Sequence, residues 1–252
     1  MSQQRVSDDG TDDDATTDVE TNAGIDGEYT YDDLTVVMGT YNEEEAIGIV
    51  LEDIDNETDG RANVICVDGS SDRTPEIARE HGARVIEQQP QGYGVAVRAA
   101  VLAADRPVIV TTDCDDTYPM DRLGDFLDQI NDGADVVSGD RLYYGAEPMP
   151  AFNRFGNHAF AVLASVLMGE RVHDTTTGMR AYRREVIQKI RWTENTGLSA
   201  ELLIRPLMRE YDVREEPIAY AERAGETKLD PLSGGAAIAK SIVKVCLEER
   251  FR

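Results

Sequence analysis

Three short polar clusters hold the side chains with which this 252-residue chain could do chemistry. Each cluster follows a short apolar run and carries carboxylate, hydroxyl or amide groups. The clusters are Gly39-Thr40-Tyr41-Asn42-Glu43, Asp68-Gly69-Ser70-Ser71-Asp72-Arg73-Thr74 and Asp113-Cys114-Asp115-Asp116-Thr117. A single cluster of this kind is typical of a helix N-cap, because Asp, Ser and Asn accept hydrogen bonds from the first backbone N–H groups of a helix. Three such clusters along one chain favour a binding site.

Asp113 and Asp115 are the most specific of these residues. Two carboxylates at alternate positions after a strand can surround a hard divalent cation, and Mg²⁺ is usually held by few carboxylates together with substrate phosphates. Such a cation neutralises a diphosphate that an acidic protein otherwise repels. Although one Asp-x-Asp is common in a chain with 49 acidic residues, the pair predicts Mg²⁺ or Mn²⁺ as the cofactor.

Short apolar runs alternate with helical stretches from residue 34 onward. The predicted strands are 34–38, 64–67, 84–86, 108–112 and 135–138, and the predicted helices are 43–54, 75–81, 93–104 and 120–130. This alternation predicts βαβ units, and the unbroken apolar strands indicate a mostly parallel sheet covered by helices on both faces. After residue 141 the pattern becomes helical, with one late strand near 213–219 and a terminal helix near 236–249.

The order of these elements brings the three clusters together. Each cluster comes directly after a predicted strand. Ligands of open parallel sheets bind beyond the carboxyl ends of the strands. We therefore expect one ligand site at this edge of the sheet.

Acidic residues occur throughout the chain. Residues 1–33 hold eleven acidic residues and one arginine without hydrophobic periodicity, which predicts a disordered acidic tail followed by a single domain over 34–252. The domain still carries −14 of the net charge of −24, so nonspecific binding of nucleic acid is excluded. With 49 acidic residues but only 4 lysines, the composition is typical of proteins from halophiles that accumulate salt.

Cysteine usage and hydropathy predict where the protein works. The three cysteines lie far apart and form no disulfide framework, which is typical of a reducing cytoplasm. We expect no signal peptide, and the longest apolar run, 159–168, is far shorter than the ~20 residues of a membrane span. Residues 157–168 and 236–247 are apolar enough to lie in a membrane interface. Packing on the core or on a partner subunit is the alternative for both.

Taken together, the clusters resemble the motifs of glycosyltransferase family 2, whose members have the GT-A fold and use nucleotide sugars. Tyr41-Asn42-Glu43 is similar to the first motif, residues 68–74 to D-G-S-x-D-x-T, and Asp113-Cys114-Asp115 to D-x-D. Within the family, the chain looks most like the dolichyl-phosphate mannose and glucose synthases. The segments that carry this closer resemblance are Gln91-Gly92-Tyr93-Gly94, residues 137–141, residues 174–182 (DTTTGMRAY) and residues 216–229.

The resemblance implies an α/β GT-A fold with a mostly parallel central sheet flanked by helices. It implies inverting transfer of mannose or glucose from a UDP- or GDP-hexose to a polyprenyl (dolichyl) phosphate, at the cytoplasmic face of a membrane to which the protein binds peripherally. Asp113 and Asp115 would bind the metal, and Arg154 and Arg180 the acceptor phosphate. The implied donor-binding residues are Gly39, Tyr41, Glu43, Asp68, Asp113, Cys114, Asp115, Thr117, Arg141, Arg223 and Lys228. The implied catalytic residues are Asp115, Arg141, Arg180 and Arg223.

Two other functions stay open from the sequence. A family 2 transferase with a sugar-hydroxyl acceptor would need a carboxylate as general base, whereas a phosphate acceptor is already ionised and needs cations that hold two anionic groups together. A non-catalytic regulator that binds nucleotide sugars is disfavoured by the intact Asp113 and Asp115. Because Gly39, Val67 and Thr117 stand where the resembled family usually has Pro, Asp and Gln, the donor base and the sugar also stay open.

Overall fold

The computed structural model describes residues 28–224 and 231–252. Its strands are β1 (Leu34–Thr40), β2 (Asn63–Asp68), β3 (Arg84–Glu87), β4 (Val108–Thr111), β5 (Val136–Asp140), β6 (Arg180–Arg183) and β7 (Val213–Pro217). Its helices are α1 (Ile47–Thr58), α2 (Thr74–Glu80), α3 (Tyr93–Ala103), α4 (Leu123–Asn131), α5 (Ala151–Met168), α6 (Arg184–Lys189), α7 (Leu198–Met208) and α8 (Pro231–Arg250).

The strands of the described residues form one sheet in the order β3-β2-β1-β4-β6-β5-β7. The first four strands of this order pair in parallel, and so do β5 and β7. β6 runs antiparallel to both of its neighbours, β4 and β5. The predicted α/β fold with a mostly parallel central sheet is confirmed.

Side chains that alternate along β1 belong to two separate cores. Val36 and Met38 pack with residues of α1, α2 and α4 on one face of the sheet. Val37 packs with residues of α3, α6 and α7 on the other face. Because successive side chains of a strand point to opposite faces, a sheet covered on both faces requires apolar residues at consecutive positions. A third core joins α5, α7 and α8 beside the sheet.

The register of the parallel strands brings the polar clusters to one edge. Thr40 at the end of β1 lies opposite Asp68 at the end of β2. β4 pairs with β1 on its other side and ends at Thr111, two residues before Asp113. All three clusters therefore begin at the carboxyl edge of the central strands.

Some predicted elements differ from the structure. Residues after 141 are predicted to contain one strand, but β6 is a second, and it is stabilised by pairing with β4 and β5, which are distant in the sequence. The first helix begins at Ile47 and not at residue 43, because the Glu43 backbone N–H donates to Thr74 Oγ1 (2.8 Å) in a turn before the helix. The last helix begins at Pro231, five residues before its predicted start at 236.

The end of the predicted tail is ordered. The Tyr29 N–H donates to Asn131 Oδ1 (2.7 Å), and the Asn131 amide donates back to the Tyr29 carbonyl (2.9 Å). The Tyr31 hydroxyl donates to Glu57 Oε1 (2.5 Å). The prediction of disorder is therefore wrong for residues 28–33, and residues 1–27 lie outside the described residues. Within 28–224 and 231–252, no helix has the length and hydropathy needed to cross a membrane.

Candidate functional site

A cavity of about 600 Å³ lies beyond the carboxyl ends of β1, β2 and β4. Its volume falls within the range of small-ligand sites in proteins. Its walls also include the first turns of α3 and α7 and one residue of α8, Ile238. Of the site residues predicted from the sequence, those that line the cavity are Gly39, Tyr41, Glu43, Asp113, Cys114, Asp115 and Arg223.

Two carboxylates and one guanidinium form the charged centre of this cavity. Arg223 donates from Nη1 to Asp115 Oδ2 (2.5 Å) and from Nη2 to Glu43 Oε1 (2.6 Å). The other oxygen of Asp115 accepts from the Thr117 hydroxyl (2.6 Å) and backbone N–H (3.3 Å). Thr117 does not line the cavity but fixes the orientation of the Asp115 carboxylate. Charge-assisted bonds of this kind are about twice as strong as neutral ones, so the three charged groups hold one geometry.

Asp113 lies beside this centre in a tightly packed position. The Tyr93 side chain lies beside its carboxylate, and Ser199 lies beside Tyr93. Burial, followed by repulsion from Asp115, raises the pKa of Asp113 to about 6. A methyl group on Gly178 would come within 2.5 Å of Asp113 Oδ2, so only glycine fits behind this carboxylate.

Asp68 acts on the cavity through a turn. It is buried and accepts hydrogen bonds from the Thr40 hydroxyl (2.6 Å), the Ser70 hydroxyl (2.6 Å) and the Ser70 N–H (2.9 Å). The Ser70 oxygen also accepts from the N–H of Asn42, which has a positive φ of 52°. These bonds hold the 41–43 turn, and Tyr41 and Glu43 of that turn line the cavity.

Arg141 is held in a buried ion pair behind the cavity wall. It donates to both oxygens of Asp174, from Nε (2.7 Å) and from Nη2 (2.9 Å), and to Thr176 Oγ1 (2.9 Å). Burial alone would raise the pKa of Asp174, but Arg141 holds this pKa below its usual range. Arg141 also lies over the ring of Tyr118, whose hydroxyl accepts from the Gly178 N–H (2.6 Å). Arg141 does not line the cavity and supports the 174–178 segment that does.

Arg180 and Arg154 are not brought to the cavity either. Arg180 is fully buried and donates to Ser138 Oγ (2.9 Å) and to the Thr175 carbonyl (3.1 Å). Arg154 donates from α5 to the Gly145 carbonyl (3.3 Å). Neither guanidinium lines the cavity, and their contacts with the acceptor phosphate stay a prediction. Lys228 lies outside the described residues.

Several cavity residues are missed by the sequence reasoning. Tyr93 contacts Asp113, and Thr176, Thr196 and Ser199 line the far wall. The Gln91-Gly92-Tyr93-Gly94 segment contains the usable signal, because a methyl group on Gly94 would come within 2.7 Å of the backbone of residues 194 and 195. A glycine without a side chain lets a distant backbone segment pack closely against it, and here that segment forms one wall of the cavity.

Carboxylate oxygens are the groups here that suit a divalent cation. Asp113 and Asp115 offer hard oxygen donors, which Mg²⁺ and Mn²⁺ accept. No group of three or more His, Cys, Asp or Glu side chains suited to a metal occurs among the residues that the structure describes. These residues therefore suit a cation that would be held partly by the two carboxylates and partly by phosphate oxygens of the substrate.

Comparison with known proteins assigns the family. Residues 35–191 match the family model described as "Glycosyl transferase family 2", which is more than half of the chain. The chain is a family 2 glycosyltransferase. This glycosyltransferase is 77% identical over 225 residues to a "Dolichyl-phosphate hexose transferase" of Haloferax volcanii, a match that covers 89% of this chain and 99% of the relative. It is 28% identical to a "Polyprenol monophosphomannose synthase" of Mycolicibacterium smegmatis, over 83% of this chain and 84% of the relative.

Solved structures show the GT-A fold of this family 2 glycosyltransferase. Glucosyl-3-phosphoglycerate synthase from Mycobacterium tuberculosis, in complex with Mn²⁺, UDP and phosphoglyceric acid, superposes with a TM-score of 0.68 at 23% identity. The match covers 86% of this chain and 78% of that chain. At this identity the likeness concerns the fold alone.

Proposed function

We propose that this glycosyltransferase transfers a hexose, with inversion, from a nucleotide-diphospho-sugar to a polyprenyl (dolichyl) phosphate. The observation that carries the proposal is the similarity to a dolichyl-phosphate hexose transferase over 99% of that relative's length. The cavity supports it, because its charged centre and its volume suit a nucleotide sugar. The donor is a UDP- or GDP-hexose and the hexose is mannose or glucose.

The donor occupies the side of the cavity nearest β1 and β2. Gly39, Tyr41 and Glu43 face the base and ribose, and Asp68 holds their turn through Ser70. Cys114 is buried between the two aspartates, and burial raises the pKa of its thiol, so it stays neutral and packs against the donor.

Asp113 and Asp115 would hold Mg²⁺ or Mn²⁺, and the cation would supply charge neutralisation for the leaving nucleoside diphosphate. Arg223 donates to Asp115 Oδ2 and Glu43 Oε1 at the same centre, so its guanidinium would be a further cationic group for that diphosphate.

The acceptor phosphate enters beside Thr176 and the first turn of α7. Arg141 and Arg180 are positioning residues in this proposal, because both are buried and support the 174–178 segment. A phosphate oxygen is ionised near neutral pH, so attack on the anomeric carbon needs no general base. The alternative with a hydroxyl acceptor would need a carboxylate as general base, whereas Asp113 holds the cation in this proposal.

The proposal extends to place and attachment. Because the acceptor is a lipid, the enzyme acts at a membrane surface, to which it binds peripherally. We assign it to the cytoplasmic face, where nucleotide sugars are available and where the buried thiols of Cys66, Cys114 and Cys246 stay reduced.

A donor-by-acceptor screen tests the proposal. Radiolabelled UDP-glucose, GDP-mannose and related donors are incubated with polyprenyl phosphate in molar KCl with Mg²⁺ or Mn²⁺, and lipid is extracted. Labelled lipid is expected with one donor, and it should disappear with chelator and with Asp115→Ala, whose melting temperature serves as the folding control. Label transferred only to soluble sugars would support the rival, and donor binding without hydrolysis or transfer would support a regulator.

A further inference from the structure

The outward face of α5 is an uninterrupted apolar stripe. Residues at alternating spacings of three and four lie on one side of a helix. On α5 these positions hold Phe152, Phe155, Ala159, Val162 and Val166, here called the α5 stripe. The phenylalanine at 155 and the valine at 166 are each 74% exposed, and the other two large side chains are exposed by about as much. The buried face of such a helix packs on the protein core, and an apolar exposed face needs a second apolar surface to cover it.

The α5 stripe also lacks the charge that covers the rest of the protein. The chain has 49 acidic residues, and α1 alone has four among its 12 residues. α5 has none among its 18 residues. His158 is the one polar side chain on the exposed side of the helix. A partner that repels carboxylates and accepts apolar groups is therefore favoured, and an anionic lipid surface has both properties.

Aromatic and basic groups border the stripe. Tyr143 and Tyr144 are each about two-thirds exposed and pack edge to face with ring centroids 5.0 Å apart. They adjoin the first turn of α5, because Arg154 donates to the Gly145 carbonyl. On the other side, an apolar groove between α5 and α8 contains Leu163, Val243 and Leu247 and is flanked by Lys240, Lys244 and Glu248. Lys244 is paired with Glu194 (2.6 Å) and Glu248 (3.7 Å). Tyrosine and lysine suit the level of lipid headgroups, since each has an apolar body and a polar end.

The inner side of α5 contacts the wall of the cavity. The Thr176 hydroxyl, which lines the cavity, donates to Asn157 Oδ1 (3.0 Å). The stripe lies on the opposite side of the same helix, about 10 Å away across its diameter. A lipid beside the stripe therefore has its headgroup within reach of the cavity.

We propose that the α5 stripe, with Tyr143 and Tyr144, is the surface that docks this enzyme on a lipid bilayer. The helix lies in the plane of the interface and inserts the stripe among the acyl chains, so that the phosphate of the lipid acceptor meets the cavity. The inference rests on the proposed function, which supplies the lipid. A second copy of the chain fits less well, because a stable dimer buries about 20–30 residues a side. The stripe and the apolar residues that border it number ten.

Binding by the stripe is expected to persist in molar salt. The contact is made by apolar groups, whose burial does not depend on screening, whereas the two lysines contribute only at low ionic strength. Flotation of the full chain with vesicles of phosphatidylcholine and phosphatidylglycerol, without donor, measures the bound fraction. The double variant Phe155→Asp/Val162→Asp should lower the partition coefficient at least ~10-fold in molar KCl. Leu102→Asp is the matched control, because Leu102 is 73% exposed on α3 and lies outside the stripe.

Activity with two acceptors separates this inference from the proposed function. The double variant should lose transfer to long-chain polyprenyl phosphate in vesicles but keep wild-type transfer to a short, water-soluble isoprenyl phosphate. Wild type that transfers to neither acceptor contradicts the proposed function. Undiminished flotation and vesicle activity of the double variant overturn the docking surface. A wild-type dimer that becomes a monomer in the double variant, measured by sedimentation, also overturns it in favour of a second copy.

Discussion

Among single residues, Asp113 combines a functional position with a cost to folding. Its folded-state pKa of about 6 lies above the ordinary value of 3.8, because burial and Asp115 disfavour the charged form. Because this pKa is raised, the contribution of the protonated Asp113 carboxyl to the free energy of unfolding is fully present below pH ~4. It is lost as pH rises through about 6. The carboxylate at neutral pH is thus retained for ligand binding and not for stability.

Replacing Asp113 by Asn should therefore stabilise the metal-free protein at neutral pH. We expect Asp113→Asn to raise the free energy of unfolding at pH 7.5 by about 1–2 kcal/mol and to leave it nearly unchanged at pH 4. Urea unfolding in molar KCl at both pH values measures the difference. Transfer activity should be lost in the same variant. A variant that is less stable at pH 7.5 than wild type would contradict the assigned environment of this carboxyl.

Replacing Asp174, the buried partner of Arg141, should destabilise the protein, whereas replacing Asp113 should stabilise it. Asp174→Asn leaves a buried guanidinium without its counter-charge, which costs about 3–5 kcal/mol. Because the pKa of Asp174 is lowered, the stability of the pair is lost as pH falls below the ordinary carboxyl range. Lys189→Ala is the control, since its pair with Glu185 is exposed and worth at most about 1 kcal/mol. Equal destabilisation by both variants, measured by urea unfolding, would refute the supporting role of Arg141.

At the scale of elements, the first turn of α3 closes the cavity against residues 193–197. The Gly94 N–H donates to Asn195 Oδ1 (2.8 Å), and Arg98 donates to the Glu194 carbonyl. The Thr193 and Glu194 N–H groups donate to the buried Glu201 of α7. Two helices are therefore joined through one short segment that lines the cavity.

The same substitution at two helical glycines should have opposite effects. In Gly94→Ala the new methyl group would come within 2.7 Å of backbone atoms of residues 194 and 195, which costs about 1–3 kcal/mol of stability. In Gly156→Ala the nearest atom is 4.0 Å away, so the better helix propensity of alanine adds about 0.5–1 kcal/mol. Thermal melts in molar KCl compare the two, and donor affinity should fall only for Gly94→Ala. Similar melts for both variants would mean that α3 does not pack closely on 193–197.

Strands and helices with a clear local pattern of apolar residues were predictable from the sequence. Elements that are stabilised by segments distant in the sequence were not. The apolar runs of β1, β2 and β4 and the polar residues after them predict the edge at which the site lies. β6 contains two arginines among four residues and is a strand only because β4 and β5 pair with it. The predicted roles of Arg141 and Arg180 followed their motif, whereas their partners Asp174 and Ser138 are fixed by the folded chain.

At the scale of the whole molecule, the acidic surface sets the conditions for stability. Residues 1–27 hold eight acidic residues and one arginine, so a chain that begins at residue 28 keeps a net charge of −17. Repulsion of this size acts across the folded domain and is screened by salt, with a Debye length of about 10 Å at 0.1 M and 3 Å at 1 M.

The melting temperature should therefore rise with KCl up to molar concentrations. We expect the rise both in the full chain and in the chain that begins at residue 28, because most of the charge belongs to the domain. Scanning fluorimetry with KCl, and with sucrose as a neutral control, measures it. A melting temperature independent of KCl in the shortened chain would contradict the interpretation of the acidic surface as an adaptation to a salt-rich cell interior.

The most direct test compares two acceptors that differ only in a phosphate group. With the donor identified by the screen, transfer to polyprenyl phosphate and to the free polyprenol is measured in the same vesicles, salt and metal. The phosphate is already ionised and can be held by cations, while the alcohol would need a general base worth at least about 100-fold in rate. We expect polyprenyl phosphate to be glycosylated at least ~100-fold faster than polyprenol. Comparable transfer to the free alcohol, or preference for a soluble sugar, would contradict the proposed function.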